Sequence, residues 1–78
     1  MRYIATFYSH YGAIQFRKNC EKLNLTAVIM PGPRNLSSSC GTCVRFETEG
    51  EIPEQNEETE QIVRIETAGY VCMYHADE

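Results

Sequence analysis

The stretch Thr59-Glu60-Gln61-Ile62-Val63-Arg64-Ile65-Glu66-Thr67-Ala68-Gly69 decides how the chain is assembled. Ile62, Val63 and Ile65 form an apolar side. Glu54, Glu57 and Glu58 lie just upstream, where the partial positive charge of a helix N-terminus favours acids. Gly69 stands where a helix commonly ends in a left-handed residue. The pattern predicts a short helix over residues 59–68. Before it, Glu47 to Glu60 holds seven glutamates and no lysine or arginine. Like charges repel and need water, so this run reads as a solvated connection, with Pro53 in the loop. After it, Tyr70 to His75 reads as a final strand and Ala76-Asp77-Glu78 as a polar end.

The N-terminal half is read outward from the same logic. Tyr3 to Tyr8 is aromatic and β-prone, a strand. Ser9 is placed to cap a helix whose stripe is Ala13, Phe16, Cys20 and Leu23, at spacings of three, four and three. Gln15, Arg17, Lys18, Glu21 and Lys22 fill the polar face, and Asn24 can end the helix in a left-handed conformation. Cys20 on the stripe reads as a packing thiol. His10, in the first turn, reads as exposed or capping. Thr26 to Met30 is a second strand, stopped by Pro31 and Pro33, which cannot donate to a ladder. Thr42 to Glu47 alternates, with Val44 and Phe46 on one face and Cys43 and Arg45 on the other.

The resulting order, strand, helix, strand, strand, helix, strand, predicts a single α+β domain over residues 1–78, a ferredoxin-like βαββαβ sandwich. Its four-stranded antiparallel sheet would have the order 4-1-3-2, with both helices on one face. Ala13, Phe16, Cys20, Leu23, Ile62 and Ile65 would face the sheet. The other face would be open, and aromatic side chains among Tyr3, Phe7, Tyr70 and Tyr74 would give it a surface suited to a partner or a homodimer.

The 78 residues allow one small core, and the net charge of −4 argues against nucleic acid or an anionic membrane as partner. No apolar run has the length of a membrane span. The start, Arg2-Tyr3-Ile4-Ala5-Thr6-Phe7-Tyr8, has no long apolar segment or cleavage site, so a cytoplasmic protein is expected. In that compartment four cysteines are expected to be reduced, reactive or metal-bound rather than paired. There is no nucleotide loop and no cofactor motif.

The chemistry-bearing stretch is Ser37-Ser38-Ser39-Cys40-Gly41-Thr42-Cys43, following Pro31-Gly32-Pro33-Arg34. It has no bulky apolar side chain and reads as an ordered loop presenting Cys40, with Gly41 free to take positive φ. Arg34 and Arg45 flank it, and cations near a thiol favour the thiolate. The bland reading is a Ser-rich turn with an incidental cysteine. Cys43 could act as a resolving thiol. A second reading joins Cys40, Cys43, Cys72 and His75 in a Cys₃His zinc site. A regular strand would turn Cys72 and His75 to opposite faces, so bound zinc is not expected. A third reading is an interaction module whose Cys40 and Cys43 cycle between dithiol and disulfide.

The segment Met30 to Gly41, followed by Val44-Arg45-Phe46, resembles the signature of the Se/S carrier protein-like family, a small bacterial family. His10 at the head of the first helix and the Asn24-Leu25 exit are similar to it as well. The resemblance implies a carrier rather than an independent enzyme, holding sulfur or selenium as a persulfide or perselenide on Cys40. Arg34, Ser37, Ser38, Ser39 and Gly41 would surround the cargo, and the partners would be sulfur or selenium donor and acceptor proteins. No cofactor is implied. Cys43, Cys72 and the acidic run lie outside the motif.

Overall fold

The computed structural model describes residues 1–76, so Asp77 and Glu78 of the expected polar end lie outside the described residues. The elements are β1 (Arg2–Phe7), α1 (His10–Lys22), β2 (Ala27–Pro31), β3 (Thr42–Glu47), β4 (Thr59–Glu66) and β5 (Gly69–His75). The five strands form one sheet in the order β2-β3-β1-β4-β5, and every neighbouring pair is antiparallel. The expected ferredoxin-like sandwich is therefore wrong: the described residues form one helix, not two, and a sheet of five strands, not four.

The error lies in residues 59–68. Thr59, Ile62, Val63, Ile65 and Thr67 are β-branched, and such side chains lose rotamer freedom in a helix but fit a pleated sheet. Glu66 pairs with Gly69, leaving Thr67 and Ala68 as a two-residue hairpin loop. Gly69 (φ 140°) follows that turn as the first residue of β5, in a region of backbone space that other residues avoid. The extra strand slides between β1 and the last strand, while the expected β2-β3-β1 neighbours keep their places.

The N-terminal half matches its reading closely. Ser9 caps α1, its hydroxyl accepting the Gly12 amide at 3.2 Å, and Asn24 takes φ 60° just beyond the helix. Ala13, Phe16 and Cys20 are buried against Tyr3, Ala5, Phe7, Val44, Phe46 and Ile62. Tyr3 stacks on Phe46 with ring centroids 5.2 Å apart, and Phe16 meets both Phe46 and Phe7 at tilted angles. Leu23 departs from the expected stripe: it is the C-terminal cap and is half exposed. Ile65 lies on the opposite face from the helix, packed towards Ile4, Cys43 and Val63.

That opposite face is not open. Leu36, from the connection between β2 and β3, packs on the Ile4–Cys43–Val63 cluster together with Met30, Ile65 and Tyr70. Tyr3 and Phe7, expected there, are buried on the helix side, and Tyr74 packs towards that side too. A 32–41 loop thus covers much of the surface on which a homodimer contact was expected. Two bulges shape it further. Glu60 is the extra residue of β4 opposite Thr6 and Phe7, and Met73 is the extra residue of β5 opposite Ile62 and Val63.

Candidate functional site

The loop between β2 and β3 is closed at its base, where the Gly32 amide donates to the Gly41 carbonyl at 3.0 Å. Gly41 has φ 73°, the left-handed conformation anticipated for a glycine beside the thiol. Cys40 is half-buried. Its thiol donates to the Thr42 carbonyl at 3.4 Å, and its side chain touches the helix-side core.

Three further ties fasten the loop to the sheet. The side-chain amide of Gln61 donates to the Ser37 carbonyl at 3.0 Å, and the Tyr70 hydroxyl donates to Asn35 Oδ1 at 3.0 Å. Glu60 makes the third. Its Oε1 accepts the Ser39 amide at 3.0 Å and its Oε2 accepts the Ser39 hydroxyl at 2.6 Å. Oε1 also accepts from the hydroxyl of Thr6, which is fully buried. The bulge at Glu60 is what makes this possible, because it adds a residue where the face meets the loop. Partial burial works against ionisation of Glu60. The hydrogen bonds from the Ser39 hydroxyl and amide and from Thr6, with the charge of His75, outweigh it and hold the carboxyl below its ordinary value.

Of the flanking residues, Arg34 and Arg45 are exposed, and neither forms an ion pair among the described residues. Ser37 is exposed and contributes its carbonyl. Ser38 is half-buried, and its hydroxyl oxygen is enclosed without a hydrogen-bond partner among the described residues.

The four thiols are all free and occupy four different settings. Cys20 is fully buried under α1, and burial, helped by Glu21, pushes its thiol up to about 11. Cys43 is fully buried beneath the loop, with its sulfur 3.8 Å from the Pro31 carbonyl. Its thiol is raised first by burial and second by the neighbouring Cys40. Cys72 is exposed on the outer strand β5.

Cys40, Cys43, Cys72 and His75 do not assemble into a ligand set: among the described residues, no three of His, Cys, Asp and Glu converge as metal ligands would. The strand-period argument about Cys72 and His75 also needs correction. Cys72 pairs with Val63 and His75 with Gln61, so the bulge at Met73 returns both to one face.

Sequence reasoning found the loop and its two cysteines but missed Glu60, Gln61 and Thr6. Glu60 was absorbed into the acidic run, and the other two carry no motif. Among the described residues, no helix is long and apolar enough to cross a membrane.

Comparison with protein-family models adds one finding: the model described as "Putative Se/S carrier protein-like" matches residues 2–71. Neither the curated proteins nor the solved structures contain a match.

Proposed function

The chain belongs to the Se/S carrier protein-like family, and on that premise we propose that Cys40 holds sulfur or selenium as a persulfide or perselenide and passes it to an acceptor protein. The observation that carries the choice of Cys40 is the contrast among the four thiols. Cys20 and Cys43 are fully buried. Cys72 is exposed but lies beyond the residues the family model covers. Cys40 is within that range, partly accessible, and fixed in a loop tied to the sheet at several points.

The chemistry asks little of the protein. In loading, the Cys40 thiolate attacks the terminal sulfur of a donor persulfide. The donor's sulfur–sulfur bond breaks, and the donor cysteine leaves as its thiolate. In delivery, an acceptor thiolate attacks the terminal sulfur held on Cys40, which leaves in turn. Neither step needs an external oxidant or reductant. Gly41 adds no side chain between Cys40 and an approaching partner. The enclosed hydroxyl of Ser38, two residues away and without a partner among the described residues, is a donor that a terminal chalcogen could take up. Arg34 and Arg45 supply positive charge around the loop for an anionic cargo. A reducing cytoplasm suits a carrier with four free thiols.

The experiment is sulfur loading from a small-molecule persulfide, read by intact mass and peptide mapping. The expected result is one added sulfur on Cys40, lost in Cys40→Ser and kept in Cys72→Ser. Sulfur found on Cys72 alone would overturn the assignment.

A further inference from the structure

Of the ties holding the 32–41 loop to the sheet, the one to Glu60 is made by a carboxylate that spends both oxygens on a single residue, Ser39. The same carboxylate is anchored from below by Thr6. Ser39 immediately precedes Cys40. The loop it fixes carries Leu36, which packs with Met30, Ile65 and Tyr70 on the cluster containing the fully buried Cys43. Two cysteines three residues apart therefore stand in opposite conditions: one partly open, the other covered by the segment that bears the first.

We propose that Glu60 is a positioning residue that holds the Cys40 loop shut over Cys43, so that Cys43 cannot discharge cargo carried on Cys40 until the Ser39–Glu60 clamp opens. The meaning of the cargo rests on the carrier reading; the clamp does not. The discharge in question is an internal one. The Cys43 thiolate attacks the inner sulfur of the Cys40 persulfide, and a Cys40–Cys43 disulfide forms. The sulfur–sulfur bond of the persulfide breaks, and the terminal sulfur leaves as hydrosulfide, which takes the proton given up by Cys43. The Cys43 sulfur is oxidised, the terminal sulfur is reduced and the Cys40 sulfur keeps its oxidation level, so the step balances without a further reagent. A carrier loses its cargo this way, and burial of Cys43 under a clamped loop prevents it. Docking of an acceptor that draws Ser39 away from Glu60 would release the second thiol.

The test uses the full chain with Cys40→Ser and Cys72→Ser, leaving Cys20 and Cys43 as the two reporters. Cys20, in the helix–sheet core, reports general opening; Cys43 reports the loop. Under limiting iodoacetamide with peptide mapping, Glu60→Gln should raise the Cys43 rate about tenfold, the loss expected for charge-assisted hydrogen bonds, with Cys20 unchanged. Ser39→Ala, at an exposed site, removes only the hydroxyl and should raise it about threefold. It stands as the deciding variant if Glu60→Gln does not fold. The two changes together should exceed Glu60→Gln alone by less than about threefold, because they break one interaction. An unchanged Cys43 rate, or a rise matched by Cys20, overturns the clamp. In a second arm with all cysteines restored, sulfur-loaded Glu60→Gln should release hydrogen sulfide and form the Cys40–Cys43 disulfide faster than the parent; equal rates overturn the protective role. Failure of the parent chain to load sulfur at all removes the carrier reading, while the labelling arm still decides the clamp.

Discussion

The amide and the hydroxyl of Ser39 donate to different oxygens of the Glu60 carboxylate, at 3.0 and 2.6 Å, across 21 residues of sequence. This pair joins the cysteine-bearing loop to the strand that replaced the expected second helix. Had residues 59–68 been helical, the loop would have had no bulged strand to grip, and the face carrying Cys43 would have stood open.

The first prediction follows from the charge of that pair. The folded state holds Glu60 below its ordinary value, so the ionised carboxylate is favoured by folding. The sign is that of a depressed acid. The contribution is complete above the unfolded value of about 4.3 and is lost as pH falls through the folded value. Urea unfolding of the parent and of Glu60→Gln should therefore show a gap at pH 7 that narrows steadily below about pH 4. A gap of constant size across that range would mean that the charge of Glu60 contributes nothing.

Gly41 provides the second. A Cβ there would meet nothing within 4 Å, so space is not the constraint; φ of 73° is. Gly41→Ala should cost about 1–2 kcal/mol in equilibrium unfolding, and Gly41→Asn less, because asparagine tolerates the left-handed region. If Ala and Asn prove equal to Gly, the base of the loop is not held in that conformation.

The third tests the hairpin that overturned the fold reading. Thr67 and Ala68 form the two-residue connection between β4 and β5. Neither takes positive φ; Gly69, the residue after them, does, at 140°, and a Cβ there would meet nothing within 4 Å. Gly69→Ala should therefore cost about 1–2 kcal/mol in urea unfolding through the backbone alone. Thr67→Ala should leave stability unchanged or lower it slightly, whereas within a helix the same change would raise it by roughly 0.5 kcal/mol. A Gly69→Ala variant as stable as the parent, or a clear gain from Thr67→Ala, would count against the turn.

How far the fold could be read from the sequence depends on how local its causes are. Ser9 as cap, Ala13, Phe16 and Cys20 as a stripe, Asn24 as terminator and the alternation of Thr42 to Glu47 are all set within a few residues, and all appear in the structure. Ile62, Val63 and Ile65 are spaced by one and two, which suits one side of a short helix as readily as a strand buried on both faces. Only the β-branched density pointed to the strand. At the site, Cys40, Gly41 and the serines could be read because they form one segment. Glu60 could not, because its function depends on a bulge against Thr6 and on a loop far away in sequence, while locally it is one more glutamate in an acidic run.

The fourth prediction concerns Cys20. Its thiol is fully enclosed and is pushed to about 11, first by burial and then by Glu21. It should be the slowest of the four thiols to alkylate in the native protein. Cys20→Ala should cost about 1 kcal/mol or somewhat more for the lost packing. Cys20→Ser should cost more, because a buried hydroxyl without a partner adds roughly 1–3 kcal/mol. A serine variant as stable as the alanine variant would show that a donor or acceptor within the core can reach this position.

The fifth prediction separates accessibility from fitness to carry cargo. Cys72 is the more exposed thiol, so a small uncharged alkylating agent should reach it readily. Sulfur transfer asks for more: the product is an anion, and it must be stabilised where it forms. The sequence places Arg34 and Arg45 on either side of Cys40, and Ser38, two residues before it, has an enclosed hydroxyl without a hydrogen-bond partner among the described residues. Loading by a small-molecule persulfide should therefore favour Cys40 over Cys72 even though alkylation does not. Arg34→Ala should slow loading several-fold, because it removes one of the two positive charges that flank the loop in which the anionic product forms. Ser38→Ala should leave the initial rate nearly unchanged but shorten the lifetime of the loaded form, because its hydroxyl is free to meet the terminal atom only once that atom is present. The measurement is a time course of loading and decay by intact mass, with Cys72→Ser as the background so that a single site is followed. If Arg34→Ala loads at the parent rate and Ser38→Ala holds sulfur as long as the parent, neither residue serves the cargo, and the selectivity for Cys40 must come from the shape of the loop alone.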